Sequence, residues 1–232
     1  MKTLLAAMLL ITTFAVHSHA QQTVVTIAFV LVFRGEVLEL DKQYFLPAVN
    51  DSVSIETLRF YISDIMLVQG DKEANYKGAG YYLIDAANPA SQNITLTLDK
   101  PTDIDAMQFS LGIDSVTNVS GAMGGALDPM HGMYWAWQSG YINFKLEGNS
   151  AVCSTRNHLF QYHIGGYSYP FNSLQSVLVP VSNPTAITVY IHLDKILAEA
   201  GLATTNEIMS PNAKAMQFAA MLKSHFTTTL QP

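Results

Sequence analysis

The stretch MYWAWQSGYINFKLEG, residues 133–148, is dense in aromatic side chains and contains both tryptophans of the chain. Aromatic residues favour β-structure, so this stretch is predicted to form a single strand. Side chains point alternately to the two faces of a strand, which places Trp135 and Trp137 on the same face, about 7 Å apart. The chain is therefore expected to be a β-protein whose two indoles meet on one side of a sheet.

Eight further segments on both sides of this stretch are short, apolar and β-like. Clusters of Gly, Pro, Asn or Asp bound them, and they do not alternate regularly with helices. This organisation is typical of an all-β sandwich or barrel. We expect an antiparallel β-sandwich of about nine strands, followed by a C-terminal helix after residue 210. The eight segments are residues 23–32, 54–68, 80–86, 93–99, 104–113, 158–165, 176–181 and 186–193.

The N-terminal sequence MKTLLAAMLLITTFAVHSHA has the features of a secretory signal peptide: an early lysine, a short apolar run and a small-x-small end. Cleavage after Ala20 would leave residues 21–232 as a single domain in the periplasm or outside the cell. The apolar run is short for a bilayer span, so no membrane span is expected in the mature chain. The formal net charge is −6 without a basic cluster, which argues against nucleic acid as a partner.

Soft and nitrogen ligands surround the tryptophans. A Gly-rich loop, residues 120–132, contains His131 between methionines, and Met133 follows it. Thioether and imidazole groups suit copper, Cu(I) in particular, better than they suit hard cations. His163 ends an aromatic segment before a Gly-Gly turn and is expected to converge on the same site, with His192 in reserve as an auxiliary ligand. Ordinary core packing of the tryptophans and methionines is the alternative.

Other chemistries have weaker support in the sequence. It contains no Gly-x-Ser-x-Gly, His-Glu-x-x-His or phosphate-loop motif. Cys153 is the only cysteine, so little favours a thiol enzyme in which it would act with His158. Asp103 and Asp105 are expected at a solvated strand start, with a calcium site as the alternative. The protein is therefore not expected to be an enzyme.

Five blocks of the chain resemble the MbnP-like family, the methanobactin-associated group related to secreted copper proteins of methane-oxidising bacteria. The blocks follow in order over most of the chain after residue 20. The Trp-x-Trp pair, preceded by Asp-Pro and followed by Gly-Tyr, is their most specific feature. They are RFYISDI (59–65), YLIDAANPAS (82–91), QFSLGIDSVTN (108–118), GALDPMHGMYWAWQSGYINFKLEG (125–148) and FQYHIGGY (160–167).

The resemblance implies an exported, β-sandwich-like protein that binds copper. It also implies that one tryptophan of the Trp-x-Trp pair is oxidised to kynurenine by a diheme partner enzyme of the MauG type. On this chain, Trp135 is the first candidate for oxidation and Trp137 the second. His163 is the first imidazole ligand and His131 the second. The thioether of Met133 is an auxiliary candidate on the basis of its residue type and position. A copper carrier is a further candidate partner.

Two alternatives stay open at the level of the sequence. The first is a secreted binding module without a metal, in which the tryptophan pair packs in the core. The second is an oxidase substrate whose kynurenine serves in electron transfer. Copper binding separates the first alternative from the main prediction, and the mass of the mature chain tests the second.

Overall fold

The structure is a computed structural model that describes residues 22–70, 72–78, 80–98 and 103–231. The expected signal peptide, residues 1–20, lies outside the described residues. The helices are α1 (Ser115–Val119), α2 (Leu193–Ala200) and α3 (Ala213–Leu222), and short 3-10 turns lie at Pro89–Gln92, Gly125–Leu127, Pro129–His131, Arg156–His158 and Lys223–His225. The strands are β1 (Thr23–Phe33), β2 (Glu36–Val37), β3 (Gln43–Leu46), β4 (Asp51–Gln69), β5 (Lys72–Gly78), β6 (Tyr82–Asp85), β7 (Asn93–Leu98), β8 (Ala106–Leu111), β9 (Tyr134–Trp135), β10 (Gly140–Ser150), β11 (Leu159–Gly165), β12 (Tyr167–Ser168), β13 (Phe171–Asn172), β14 (Gln175–Pro180), β15 (Ala186–His192), β16 (Glu207–Ile208) and β17 (Phe226–Thr227).

The strands form two main sheets. The larger has the order β14-β8-β4-β10-β11-β16, with β3, β5 and β6 also paired to β4 and β9 paired to β10. The smaller has the order β17-β15-β1-β2, with β7 paired to β1. Strand β4 is 19 residues long and shifts register against both β8 and β10. Such irregularities bend strands and increase their twist, which allows the larger sheet to curl.

The prediction of a mostly β chain with a C-terminal helix is confirmed. The larger sheet curls into a half-barrel. The strand pairing does not by itself show the predicted sandwich. The expectation that all strands are antiparallel is wrong, because β1 pairs with β15, and β11 with β16, in parallel. A parallel pair joins segments that are distant in sequence, so a strand-by-strand pattern does not reveal it.

Residues 133–148 do not form one strand. A four-residue turn divides them into β9 and β10, and Ser139 at its end has a left-handed backbone with φ of 52°. Trp135 pairs with Gly140 across the resulting hairpin. Trp137 lies in the turn, so the prediction that both indoles alternate onto one face of a single strand is wrong. The Ser-Gly pair is a local turn signal that the aromatic content of the stretch concealed.

The main apolar core lies where the inner face of the larger sheet meets the smaller sheet. Phe29 of β1 contacts Phe60 of β4, with ring centroids 6.2 Å apart in an edge-to-face arrangement. Phe60 also stacks on Phe144 of β10 at 5.8 Å. Phe60 and Phe144 are fully buried, and such aromatic pairs contribute beyond the area that they remove from water.

Helix α3 closes one side of this core. Asn212 caps it, since its side-chain oxygen accepts the Ala215 amide at 3.0 Å. Phe218 then packs on Tyr162 of β11, with ring centroids 4.8 Å apart. Within the described ranges, the helices lack the combination of length and apolar character that crossing a bilayer requires.

Candidate functional site

The outer face of the larger sheet is covered at one end by residues 113–139, which we call the cap. The cap contains α1, two 3-10 turns and β9. Where it meets the sheet, a second apolar cluster forms, separate from the main core. Its buried members are Tyr61, Ile113, Leu127, Met133, Trp135, Tyr141 and Ile142.

Two tyrosines of the sheet fasten the cap. The hydroxyl of Tyr61 donates to the carbonyl of Ala126, and that of Tyr141 donates to the carbonyl of Leu127, both at 3.1 Å. Their rings are in edge contact, with centroids 5.9 Å apart. Burial raises the pKa of both phenols, so they remain neutral donors at ordinary pH.

The two tryptophans lie together in different environments. Their ring centroids are 6.0 Å apart, with planes inclined at 53°. Trp135 is 6% exposed and belongs to the cap cluster, whereas Trp137 is 66% exposed at the tip of the hairpin. The Trp135 ring rests on Gly165 of β11, where an added Cβ would lie only 2.6 Å from its Cζ3 atom. Glycine at this position is therefore what admits the ring.

His163 lies two residues before Gly165 on the same strand. Residues two apart on a strand share a face, so His163 and Trp135 occupy the same side of the sheet. The imidazole is 7% exposed, and its Nε2 lies 2.6 Å from Oε1 of Glu147 in β10. The hydrogen bond from His163 lowers the pKa of Glu147 to about 2, with help from nearby Lys145 and against the opposing effect of burial.

His131 lies on the exposed side of the cap. Its Nε2 is 3.1 Å from the carbonyl oxygen of Gly125, and its own carbonyl accepts a hydrogen bond from Arg59 of β4 at 3.0 Å. In the register of the sheet, Lys145 lies between Arg59 and His163. Neighbouring strands are about 4.8 Å apart, so the backbones of Arg59 and His163, two strands from each other, are about 10 Å apart. The two histidines lie on one side of the sheet, and Nε2 of His131 is directed to the Gly125 carbonyl.

An open pocket of about 330 Å³ lies beside the cap and is lined in part by His131, Tyr81 and Asp85. Two of its acidic or phenolic side chains, those of Tyr81 and Asp85, have partners within the protein. Tyr81 donates to Asp114 at the start of α1, and Asp85 accepts from Nε of Arg59 at 2.8 Å. The pocket thus gives solvent access to the His131 side of the cap.

The two auxiliary ligand candidates, Met133 and His192, are both buried. Met133 is fully buried in the cap cluster. His192 belongs to β15 of the smaller sheet, is 1% exposed, and has its Nε2 2.8 Å from the Thr227 hydroxyl. Burial lowers the pKa of His192, which favours the neutral ring. The structure does not bring His192 to the sheet that carries His163.

The remaining sequence candidates also have ordinary roles. Burial raises the pKa of the Cys153 thiol, which makes it a poor nucleophile. Asp105 accepts the amide of Gly70 at 2.6 Å and so stabilises a turn. Across the described ranges, no three His, Cys, Asp or Glu side chains are grouped closely enough to hold a metal ion.

Sequence reasoning missed Glu147 and Arg59, which contact the two candidate histidines. The alternation of apolar and charged residues in FKLEG (144–148) indicates that Lys145 and Glu147 share a solvent-side face. It does not reveal that β11 is the neighbouring strand or that His163 lies diagonally opposite Glu147. Only the register of the folded sheet supplies that contact.

Comparisons with known proteins identify the family of this chain. The sequence model of the MbnP family matches residues 22–210, a range that includes the cap, both tryptophans and His163. Among solved structures, the chain is similar to MbnP from Methylosinus trichosporium, with a TM-score of 0.58 and 16% identity over 81% of this chain and 80% of that one. At this identity the likeness shows the fold alone. No curated protein matches the chain.

Proposed function

The chain belongs to the MbnP family, and from this membership we propose that it is an exported copper-binding protein without catalytic activity of its own. The family is associated with copper and is not a known enzyme family. The observation that carries the proposal is the placement of a buried imidazole, His163, on the same sheet face as the Trp135 ring. Export to the periplasm or beyond is proposed from the signal-like N-terminal sequence.

The proposed ligands are the imidazoles of His163 and His131, together with a nitrogen donor derived from Trp135. Conversion of the indole to kynurenine would provide an aromatic amine beside His163. This donor set of nitrogen ligands is compatible with copper, and Cu(I) is the favoured state. The exposed ring of His131 can reorient at little cost, because among the described residues its side-chain hydrogen bond is to the Gly125 carbonyl alone.

The oxidation requires a partner, which we propose to be a diheme enzyme of the MauG type. Kynurenine forms when the indole C2–C3 bond is cleaved with addition of two oxygen atoms, and hydrolysis then releases C2 as formate. Dioxygen supplies both atoms, or two molecules of hydrogen peroxide supply them with release of two waters. The exposed Trp137 offers the partner a contact 6.0 Å from Trp135, between ring centroids. A copper carrier is a further proposed partner.

Intact mass spectrometry after co-expression with a diheme partner tests the oxidation. We expect the mass increase of the Trp-to-kynurenine conversion in the wild-type chain and in Trp137→Phe, and its loss in Trp135→Phe. Peptide fragmentation then locates the modified residue. Kynurenine found at position 137 of the wild-type chain would assign the modification to Trp137, and an unmodified wild-type chain would contradict the oxidation.

Titration of the modified chain with Cu(I) tests the metal site. We expect one equivalent to bind, and we expect His163→Ala to abolish binding. His158→Ala is the matched control, because the His158 imidazole lies 3.0 Å from the Cys153 carbonyl and is not one of the proposed ligands. A wild-type chain that binds no copper, modified or not, would favour the metal-free binding module.

A further inference from the structure

The hydrogen bond between His163 and Glu147 has a defined donor and a defined acceptor. Nε2 and Oε1 are 2.6 Å apart, and His163 is buried, with 7% of its surface exposed. An ionised carboxylate can only accept a hydrogen bond, so Nε2 of the ring must carry the proton. In the neutral imidazole, Nδ1 is then the nitrogen with the free lone pair.

Nδ1 of His163 has no hydrogen-bond partner among the described residues. The ring therefore presents one nitrogen to an anion and leaves the other available. Histidines that bind metals commonly donate their second ring N–H to a carboxylate or carbonyl, which fixes both the tautomer and the orientation of the ring. His163 has this arrangement before any metal is considered.

Glu147 is itself held in place. Lys145 Nζ lies 3.6 Å from the same Oε1 atom, and the side-chain amide nitrogen of Gln161, Nε2, lies 3.5 Å from it. In the register of the sheet, Glu147 is flanked by Thr57 on β4 and Gln161 on β11. Donors on three adjacent strands thus converge on this carboxylate, and its position is set by the sheet rather than by a mobile loop.

We propose that Glu147 is a positioning residue that holds His163 in the tautomer protonated on Nε2 and thereby presents Nδ1 to copper. The proposal rests on the proposed copper-binding function. It assigns Glu147 a role that a simple stabilising ion pair would not have, because the role depends on which ring nitrogen carries the proton. A purely structural contact would affect stability alone.

Three variants separate these roles. Glu147→Leu removes the acceptor at similar size. Glu147→Gln retains a carbonyl acceptor, and Lys145 and Gln161 favour keeping that oxygen turned toward them. Glu199→Leu is the matched control, because it removes the acceptor of a similar contact elsewhere in the chain, with Nε2 of His225 2.9 Å from Oε2 of Glu199.

The first measurement is made on the copper-free chain and does not depend on metal. Nitrogen-15 NMR of the imidazoles reports the tautomer, and the His163 signals are identified by their loss in His163→Gln. We expect the wild-type chain, Glu147→Gln and Glu199→Leu to carry the His163 proton on Nε2. We expect Glu147→Leu to show a mixture of tautomers. A proton on Nδ1 in the wild-type chain, or an unchanged tautomer in Glu147→Leu, would overturn the proposal.

The second measurement is Cu(I) affinity of the chain modified by its diheme partner, determined by competition with a chromophoric chelator. Loss of a partner that orients a metal-bound histidine typically weakens binding about 10- to 100-fold. We expect this loss in Glu147→Leu, a smaller loss in Glu147→Gln and none in Glu199→Leu. Equal copper affinity in all variants would overturn the role of Glu147 alone, whereas a wild-type chain that binds no copper would overturn the proposed function as well.

Discussion

The two faces of β4, β10 and β11 are built from alternate residues of the same strands and differ completely in character. The inner face carries side chains such as Phe60, Phe144 and Tyr162, all with less than 1% exposure. The outer face carries Arg59, Lys145, Glu147 and His163 in adjacent register positions. One face is a continuous apolar core, and the other is a grid of charged and polar groups beside the cap.

The difference teaches how the site is held. A strand that is fixed on its inner side by packing cannot change register without exposing its core residues. The packing of the inner face therefore fixes the spacing of the side chains on the outer face. On this basis, substitutions on the inner face should reduce stability, and substitutions on the outer face should change the site at lower cost.

The largest effect is expected for Phe144→Ala on the inner face. Its ring stacks on Phe60 at 5.8 Å and lies 6.3 Å from Phe218 of α3, so truncation leaves a cavity between sheet and helix. Substitutions of this kind reduce the free energy of unfolding by about 3–5 kcal/mol. Urea denaturation measures the loss, and Lys145→Ala, on the next residue and the opposite face, should cost about 1 kcal/mol or less. Equal losses in the two variants would remove the distinction between the faces.

A smaller effect is expected for Gly165→Ala, at the junction of cap and sheet. The new methyl group would lie 2.6 Å from both Trp135 Cζ3 and the Tyr141 carbonyl oxygen, so the indole must move. Overpacking of this kind typically costs about 1–3 kcal/mol. We expect a red shift of tryptophan fluorescence and weakened copper binding.

Gly124→Ala provides the control for this substitution. It adds the same methyl group elsewhere in the cap, where the described residues other than its chain neighbours place no atom within 4 Å of the new Cβ. Stability and fluorescence should remain close to those of the wild-type chain. A similar fluorescence change in both variants would show that the Trp135 environment responds to the cap in general and not to its contact with Gly165.

Much of the fold was predictable because strands leave a local signature. The apolar runs at residues 23–32 and 93–99 correspond closely to β1 and β7, and the helix expected after residue 210 is α3. The hairpin that carries Trp137 was not predicted, since aromatic content outweighed a weak turn signal. The parallel pairing of β1 with β15 was not predictable from either strand alone.

The sequence singles out candidate residues for a site but does not reveal their arrangement. His163 and Trp135 were singled out from composition and resemblance, and the structure places them on one face. The sequence does not reveal that Glu147 meets His163, because that contact depends on the register between two strands. Nor does it reveal that the His131 ring turns to Gly125, a contact made within the irregular backbone of the cap.

The smallest effect is expected for Arg59→Met, where the charged grid meets the cap. Arg59 donates to Asp85 at 2.8 Å and to the His131 carbonyl at 3.0 Å, and it is partly buried. Loss of both bonds should reduce stability by about 1 kcal/mol. The local consequence is larger than the global one, because the turn that carries His131 loses its link to β4. Hydrogen exchange at the His131 and Gly132 amides should therefore accelerate in Arg59→Met and not in Lys145→Met, because Lys145 lies next to Arg59 in register but forms its ion pair with Glu147. Unchanged exchange would mean that the Tyr61 and Tyr141 hydroxyls are sufficient to hold the cap, and that the polar grid of the outer face serves His163 alone.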